Sequence, residues 1–456
     1  MHTPALPPAF PADALLSRPI LELSDLLARR EVSSVELVAR SLDRIARLDR
    51  RLQSFVTVLD GPARREAARI DRAARKGQRA SVFAGIPTAI KDLNFMRGAF
   101  ARMGSRAFRW LWSPFDDETV TAFRRAGLVF VGKTATSELA IMPVTEPDSH
   151  PPTRNPWDEA RTPGGSSGGA AAAVAASFVP MAHASDGAGS IRIPASLCGL
   201  VGHKASAYLL PNPHRRVDPL EMSCNNTVTR TVEDAAAMLD IILGRDPRAS
   251  GSFLTACRRP PLRLRIRRLV VPPLGATDPR IAALIDRVAL RLEALGHELH
   301  EKAPIVATLD EFLPIYQRMV SEAPLLDESV TQPITRWLRA AGKKLDRAQA
   351  QRAHAVLAAR IQTWSEGVDV VLTPTVPVLA PKIGAFDHLP PEEAFAQAGV
   401  LGAFTAGANI TGSPGLSLPV GFIDGLPIGA QLLGQRGADA LVLALGRQLE
   451  ASGPLD

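Results

Sequence analysis

Cysteine is scarce in this chain: Cys198, Cys224 and Cys257 are the only three among 456 residues. Thiols this few and this scattered cannot build a disulfide scaffold or a zinc cluster, and they fit a reducing compartment, the cytoplasm. Nowhere do 18 apolar residues run together without a charge, so no membrane span is expected. The first 19 residues have no basic start and no unbroken apolar stretch, because Pro4, Pro7, Pro8 and Pro11 interrupt them. A signal peptide is therefore not expected, and 1–19 reads as an N-terminal extension. Aromatic residues make up 5%, and the net charge of +7 comes from dispersed arginines. That pattern offers nucleic acid neither a stacking platform nor a basic stripe, so no nucleic-acid partner is expected. No segment repeats at a fixed period, and there is no long linker.

What the chain does have is a core. Hydrophobic residues are 46%, charged residues 22% and the mean hydropathy is +0.04, values of a soluble globule. Segments of helical period lie near 20–50, 62–76, 118–126, 278–296, 308–322, 344–366 and 437–451, with Ser33 and Glu36 forming a candidate capping box. Strand-like runs fall between them: Phe83 to Lys91, Leu128 to Val131, Phe178 to Ala184, Val368 to Leu372, Leu416 to Val420 and Ile428 to Leu433. A further strand with one solvated face is expected where Leu and Ile alternate with Arg from Leu262 to Arg267. The alternation predicts α/β class, one continuous domain over 20–456 built on a central sheet.

Three motifs match familiar patterns without their context. GLVFVGKT (127–134) fits the phosphate loop, but its middle residues are themselves strand-like, so the first glycine precedes a strand instead of following one. GGSSG (164–168) fits the nucleophile elbow, yet the segment before it is polar and broken by proline. His297-Glu-Leu-His300 has the wrong spacing for a zinc helix, and Gly296 breaks the helix just before it.

Three other segments are too costly for ordinary folding. Lys91 ends an apolar run, and an amine desolvated there would titrate low enough to act as a base near neutral pH. Pro163-Gly-Gly-Ser-Ser-Gly-Gly169 packs six small residues between a proline and an alanine helix, as a backbone forced into close approach would require. Ser185-Asp-Gly-Ala-Gly-Ser190 follows a strand and exposes consecutive N–H groups, a setting for an oxyanion.

PGGSSGGAAAAVAAS (163–177), ASDGAGSIRIPASLCG (184–199) and IPTAIKDL (86–93) together resemble the amidase signature family. Ser190 lies 24 residues after Ser166, the separation of that family's two serines. GKTATSELA, TRTVEDAAAML, VDVVLTPTVP and GLPIGAQLLGQRGADAL extend the resemblance over about residues 20–451. It implies a central mixed sheet covered by helices on both faces. It also implies a Ser–cis-Ser–Lys triad in which Ser190 is the nucleophile, Ser166 after a cis peptide relays the proton and Lys91 is the base. Gly187, Ala188 and Gly189, with the amide of Ser190, match the oxyanion-hole positions; Ser167 and Asp186 would support the loops, and Arg192 reads as structural.

The activity so implied is hydrolysis of a small-molecule amide through an acyl-Ser190, with no cofactor and no metal. A homodimer is the assembly to be expected from the family. Two alternatives stay open: an amidotransferase subunit that makes ammonia from glutamine for a partner, and a silent binding protein. Gly402 stands where amidotransferase subunits carry a substrate-binding Asp, and SDGAGSIRIPAS is closer to the branch of nylon-oligomer cyclic-dimer hydrolases. His203 in GHKAS and the Asn225-Asn226 pair depart from the family pattern, and the loops 140–150, 207–225 and 310–340 are expected to shape the pocket.

Overall fold

Every strand among the described residues hydrogen-bonds into a single mixed sheet. The computed structural model describes residues 7–213, 217, 218, 220–305 and 307–454. In chain order the strands are β1 (Phe55–Val58), β2 (Pro87–Lys91), β3 (Val129–Thr134), β4 (Met181–Asp186), β5 (Val201–Lys204), β6 (Cys224–Thr229), β7 (Arg265–Arg268), β8 (Glu298–His300), β9 (Val370–Pro374), β10 (Gly415–Ile423) and β11 (Leu426–Gly434). Across the sheet their order is β1-β3-β2-β4-β6-β5-β10-β11-β9-β7-β8. β2 runs parallel to both β3 and β4, and β7 runs parallel to both β8 and β9; the remaining pairs are antiparallel. The α/β expectation of one large domain with helices on both faces matches this architecture.

Burial on both faces explains the composition of the central strands. Every residue of β2, β3 and β4 is buried, which is why they read as apolar runs rather than alternations. One face packs against the helices Ile20–Arg29, Val232–Ile242, Pro279–Ala294 and Asp439–Ala451. The opposite face packs against Ser34–Leu52, Asp60–Arg75 and Gly168–Ala175, the last buried along its whole length because alanine and glycine let it lie close to the sheet. Local chemistry sets the boundaries. Ser33 accepts the Glu36 amide at 3.0 Å, while the Glu36 carboxylate pairs with Arg40, so only half of the expected capping box forms. The β10–β11 hairpin turns through Asp424-Gly425, both at positive φ, a two-residue loop whose twist matches that of its strands.

Several expectations shift. The strand expected from Leu128 begins at Val129 and runs on through Gly132, Lys133 and Thr134, so the phosphate-loop pattern is a buried strand. The strand expected from Phe178 begins at Met181, because the Phe178 amide closes the preceding helix on Ala173. The strand near Leu262 is only Arg265–Arg268, and Arg267 is buried, its guanidinium bonded to the Trp364 carbonyl and stacked over that indole. His297 is buried between the Leu264 amide and Gln448. Residues 1–6 of the expected extension lie outside the described residues; Phe10 and Leu16 are fully buried against the domain. No described helix is long and apolar enough to cross a membrane.

Candidate active site

Parallel pairing brings the carboxyl ends of β2 and β4 to one edge, where open α/β sheets carry their ligands. Lys91 closes β2 there, and Ser185 and Asp186 close β4. Lys91 is fully buried, and its Nζ donates to Ser166 Oγ at 2.7 Å and to Ser185 Oγ at 2.9 Å. Burial pulls its pKa down to about 7, with the Asp186 charge opposing in part. Both partners of the amine are hydroxyls, which can donate to a neutral amine as readily as accept from an ammonium. Ser185 carried no signal beyond its place in SDGAGS, and the sequence reading missed it.

The glycine-rich loop supplies Ser166. A cis peptide joins Gly165 to Ser166. Packing dictates the small residues: a Cβ on Gly165 would come within 2.7 Å of the Val144 backbone, and one on Gly169 within 2.6 Å of the Ala135 carbonyl. Thr145 Oγ1 ties the loop by donating to the Gly164 carbonyl at 2.9 Å and accepting the Gly168 amide at 3.1 Å. Ser167 stitches the loop to β4 and to the Ser190 segment. Its Oγ donates to the Ser185 carbonyl at 3.1 Å, and its amide donates to the Ser190 carbonyl at 3.3 Å.

Asp186 organises the turn that presents Ser190. Its carboxylate takes Arg192 in a two-point pair at 2.9 Å each, the Gly189 amide at 2.7 Å, the Ile191 amide at 3.2 Å and Asn409 Nδ2 at 3.0 Å. Burial by itself would raise this carboxyl, but the Arg192 charge and these donors hold it well below the usual carboxylate range. Arg192 reaches on to Asn409 Oδ1, Gln431 Oε1 and the Thr405 carbonyl, and Thr405 Oγ1 bonds the Ala188 carbonyl at 2.7 Å. These supports come from more than 200 residues downstream; Gln431 lies in GLPIGAQLLGQRGADAL, a segment of the resemblance to which no role had been given. Arg192 is structural, as expected.

Gly189 differs from the expected oxyanion set, since its N–H is already spent on Asp186. The amides of Gly187, Ala188 and Ser190 have no acceptor among the described residues. Ser190 is partly exposed and opens on an apolar cavity of about 200 Å³. No hydrogen bond joins Ser190 Oγ to Ser166 Oγ among the described residues, so the Lys91–Ser166 link is formed and the last link is open. Of the loops expected to shape the pocket, 140–150 contributes Ile141 and Pro143, and 310–340 contributes Phe312 and Tyr316. No described residue of 207–225 lines it, and 214–216 and 219 lie outside the described residues. His203, Asn225 and Asn226 do not line it either. Asn226 bonds His203 and Asn225 bonds His183 within the sheet.

Against known proteins, the model of the amidase family matches residues 36–443. The chain belongs to the amidase signature family. The 6-aminohexanoate-cyclic-dimer hydrolase of Paenarthrobacter ureafaciens is 31% identical over 480 residues, 94% of each chain. A glutamyl-tRNA(Gln) amidotransferase subunit from Moorella thermoacetica is 32% identical over 477 residues, 94% of this chain and 96% of its own. The structure of a 6-aminohexanoate cyclic dimer hydrolase complexed with substrate superposes with a TM-score of 0.86 at 28% identity, covering 97% of this chain and 99% of the other. Membership makes this protein an amidase, a hydrolase of amide C–N bonds.

Proposed function

We propose that this amidase works alone on a small-molecule amide, through an acyl-enzyme on Ser190. The single observation that supports it is a fully buried amine, Lys91, held at 2.7 Å from Ser166 Oγ with a pKa lowered to about 7. Before attack the amine is neutral. Substrate seated at Ser190 closes the open link to Ser166, as catalytic hydrogen bonds commonly tighten only in the complex. Ser190 Oγ then attacks the carbonyl carbon while its proton passes to Ser166 and the Ser166 proton passes to Lys91. The tetrahedral oxyanion lies against the Gly187, Ala188 and Ser190 amides, aimed by the Asp186–Arg192 pair behind them. On collapse the C–N bond breaks, and the amine leaves with a proton returned along the relay. Water, deprotonated by the same route, then releases the acid.

Gly189 acts in this scheme as a positioning residue, since its amide binds Asp186. Three free, buried thiols support a reducing compartment such as the cytoplasm. Intact mass after treatment with a fluorophosphonate tests the nucleophile. One adduct is expected on the wild type, none on Ser190→Ala, and slow labelling of Lys91→Ala. A wild type that takes up no label, or a Ser190→Ala variant that labels as fast as the wild type, overturns the reading.

A further inference from the structure

The cavity at Ser190 carries information about substrate. Ala188, Ser190, Tyr316, Ile361 and Trp364 are among the residues that line it, and none of its described lining residues is charged. Among the polar side chains that line it, the Tyr316 hydroxyl donates to the Ile141 carbonyl at 2.7 Å, the Thr411 hydroxyl to the Gly407 carbonyl at 3.0 Å, and Gln435 Nε2 to the Ser365 carbonyl at 3.1 Å. Such walls offer no charged partner to an ammonium or carboxylate, whose desolvation would go largely unrepaid.

A second observation is independent of the walls. Gly399, Gly402 and Gly407 line the cavity, the first two at the ends of helical segments and the third in the first turn of Ala406–Thr411. None has positive φ, and a Cβ on any of them would meet nothing nearer than 3.4 Å. Neither backbone conformation nor protein packing asks for glycine at these positions. The space their missing side chains leave adds to the cavity. Gly402 borders the Ala188 carbonyl at the reacting end, and Gly407 faces Ile361.

The relay decides which half of the amide enters. The leaving amine must collect its proton from Ser166, so it departs on the side of Ser166 and Lys91. Both of those residues are fully buried beneath the site. The half of the amide that stays bonded to Ser190 Oγ once the amine has left is the acyl half, and Ser190 and Ala188 line the cavity. We infer that the cavity is the acyl subsite, and that the preferred substrates are amides of an uncharged, apolar acyl group of about phenylalkyl size. A void of about 150 Å³ accepts one benzene ring, and this one is somewhat larger. The inference rests on the acyl-Ser190 reading above.

The test is a series of p-nitroanilides that share one leaving group, with acetyl, butanoyl, hexanoyl, 3-phenylpropanoyl, 6-aminohexanoyl and adipoyl as acyl groups. On the wild type kcat/KM is expected to rise about fourfold per methylene up to hexanoyl. It is expected to fall at least about a hundredfold when an ammonium or carboxylate ends the chain. Gly402→Leu and Gly407→Leu are expected to invert the hexanoyl-to-acetyl ratio, and Gly407→Ala to lower it by a smaller factor if the leucine variants do not fold. A flat or falling series, or a charged acyl group cleaved as well as hexanoyl, overturns the subsite. Calorimetric binding to Ser190→Ala separates the two readings, because it needs no turnover. Hexanoyl bound more tightly than acetyl, with no cleavage by the wild type, sinks the acyl-enzyme and leaves the subsite standing. Equal or weaker binding sinks the subsite.

Discussion

Lys91 and Lys133 sit on neighbouring parallel strands, both fully buried, yet their surroundings give them opposite uses. Lys133 Nζ lies 2.7 Å from Asp92 Oδ1 and donates to the carbonyls of Asn94 and Phe100 at 3.0 and 2.7 Å. Burial lowers its pKa, but the Asp92 charge and these acceptors favour the ammonium, so it serves as a charged clamp on the loop after β2. Lys91 has two hydroxyls and no carboxylate in contact. Desolvation meets less opposition there, and the amine can shed its proton near neutral pH. Burial makes a lysine expensive; what its Nζ touches decides whether the expense yields structure or a base.

Exchange of the two side chains for an apolar one should break the comparison most visibly. Lys91→Met is expected to lower kcat/KM about 10²–10⁴-fold, the range of a lost general base. The same change should stabilise the fold. The native pKa of about 7 lies below the ordinary 10.5, so between those values the unfolded chain holds a proton that the native chain has lost, and wild-type stability rises with pH. Below pH 7 the full cost of burial remains. Thermal or urea unfolding should therefore find Lys91→Met more stable by about 3–5 kcal/mol at or below pH 7, with the gain fading toward pH 10.5. A less stable Lys91→Met at pH 6 would refute this.

Lys133→Met should do the reverse. It leaves Asp92 buried without its partner and is expected to cost about 3–5 kcal/mol, measurable as a lower urea midpoint. Asp92→Asn with Lys133→Met should recover part of that loss.

The pH profile sharpens the contrast further. On the proposed relay Lys91 must be neutral, so kcat/KM is expected to fall about tenfold per unit below an apparent pKa near 7 and to level off above it. The smallest effect belongs to Ser185→Ala, which removes one hydrogen bond from Lys91 Nζ. A loss of about 2–10-fold in kcat/KM is expected, with the wild-type fold retained and the apparent pKa displaced.

The two glycine-rich segments were legible because their local demands are extreme, and Lys91 through the family resemblance of IPTAIKDL. No ordinary loop needs six small residues in a row, and the backbone contacts behind Gly165 and Gly169 show why these do. GLVFVGKT was legible as a failed phosphate loop for the same reason, since its strand-forming residues outweigh its pattern. Ser185, Asn409, Thr405 and the cavity walls were not legible. Serine, asparagine and threonine are common everywhere, and only their placement around Asp186, Lys91 and Ser190 gives them roles. The Gly189 amide shows the limit within a motif: spacing marks a row of donors, but the Asp186 carboxylate selects which of them is already used.

The sequence by itself determined the α/β class and the single domain, because helix period and apolar runs are local properties, while the resemblance carried by its glycine-rich segments singled out Lys91, Ser166 and Ser190 as candidates. Tertiary structure decided that β2 lies between β3 and β4, that Lys91 meets hydroxyls while Lys133 meets a carboxylate, and that an uncharged cavity opens at Ser190. Those outcomes depend on which distant segments are packed together, and burial and pairing exist only once the chain has folded.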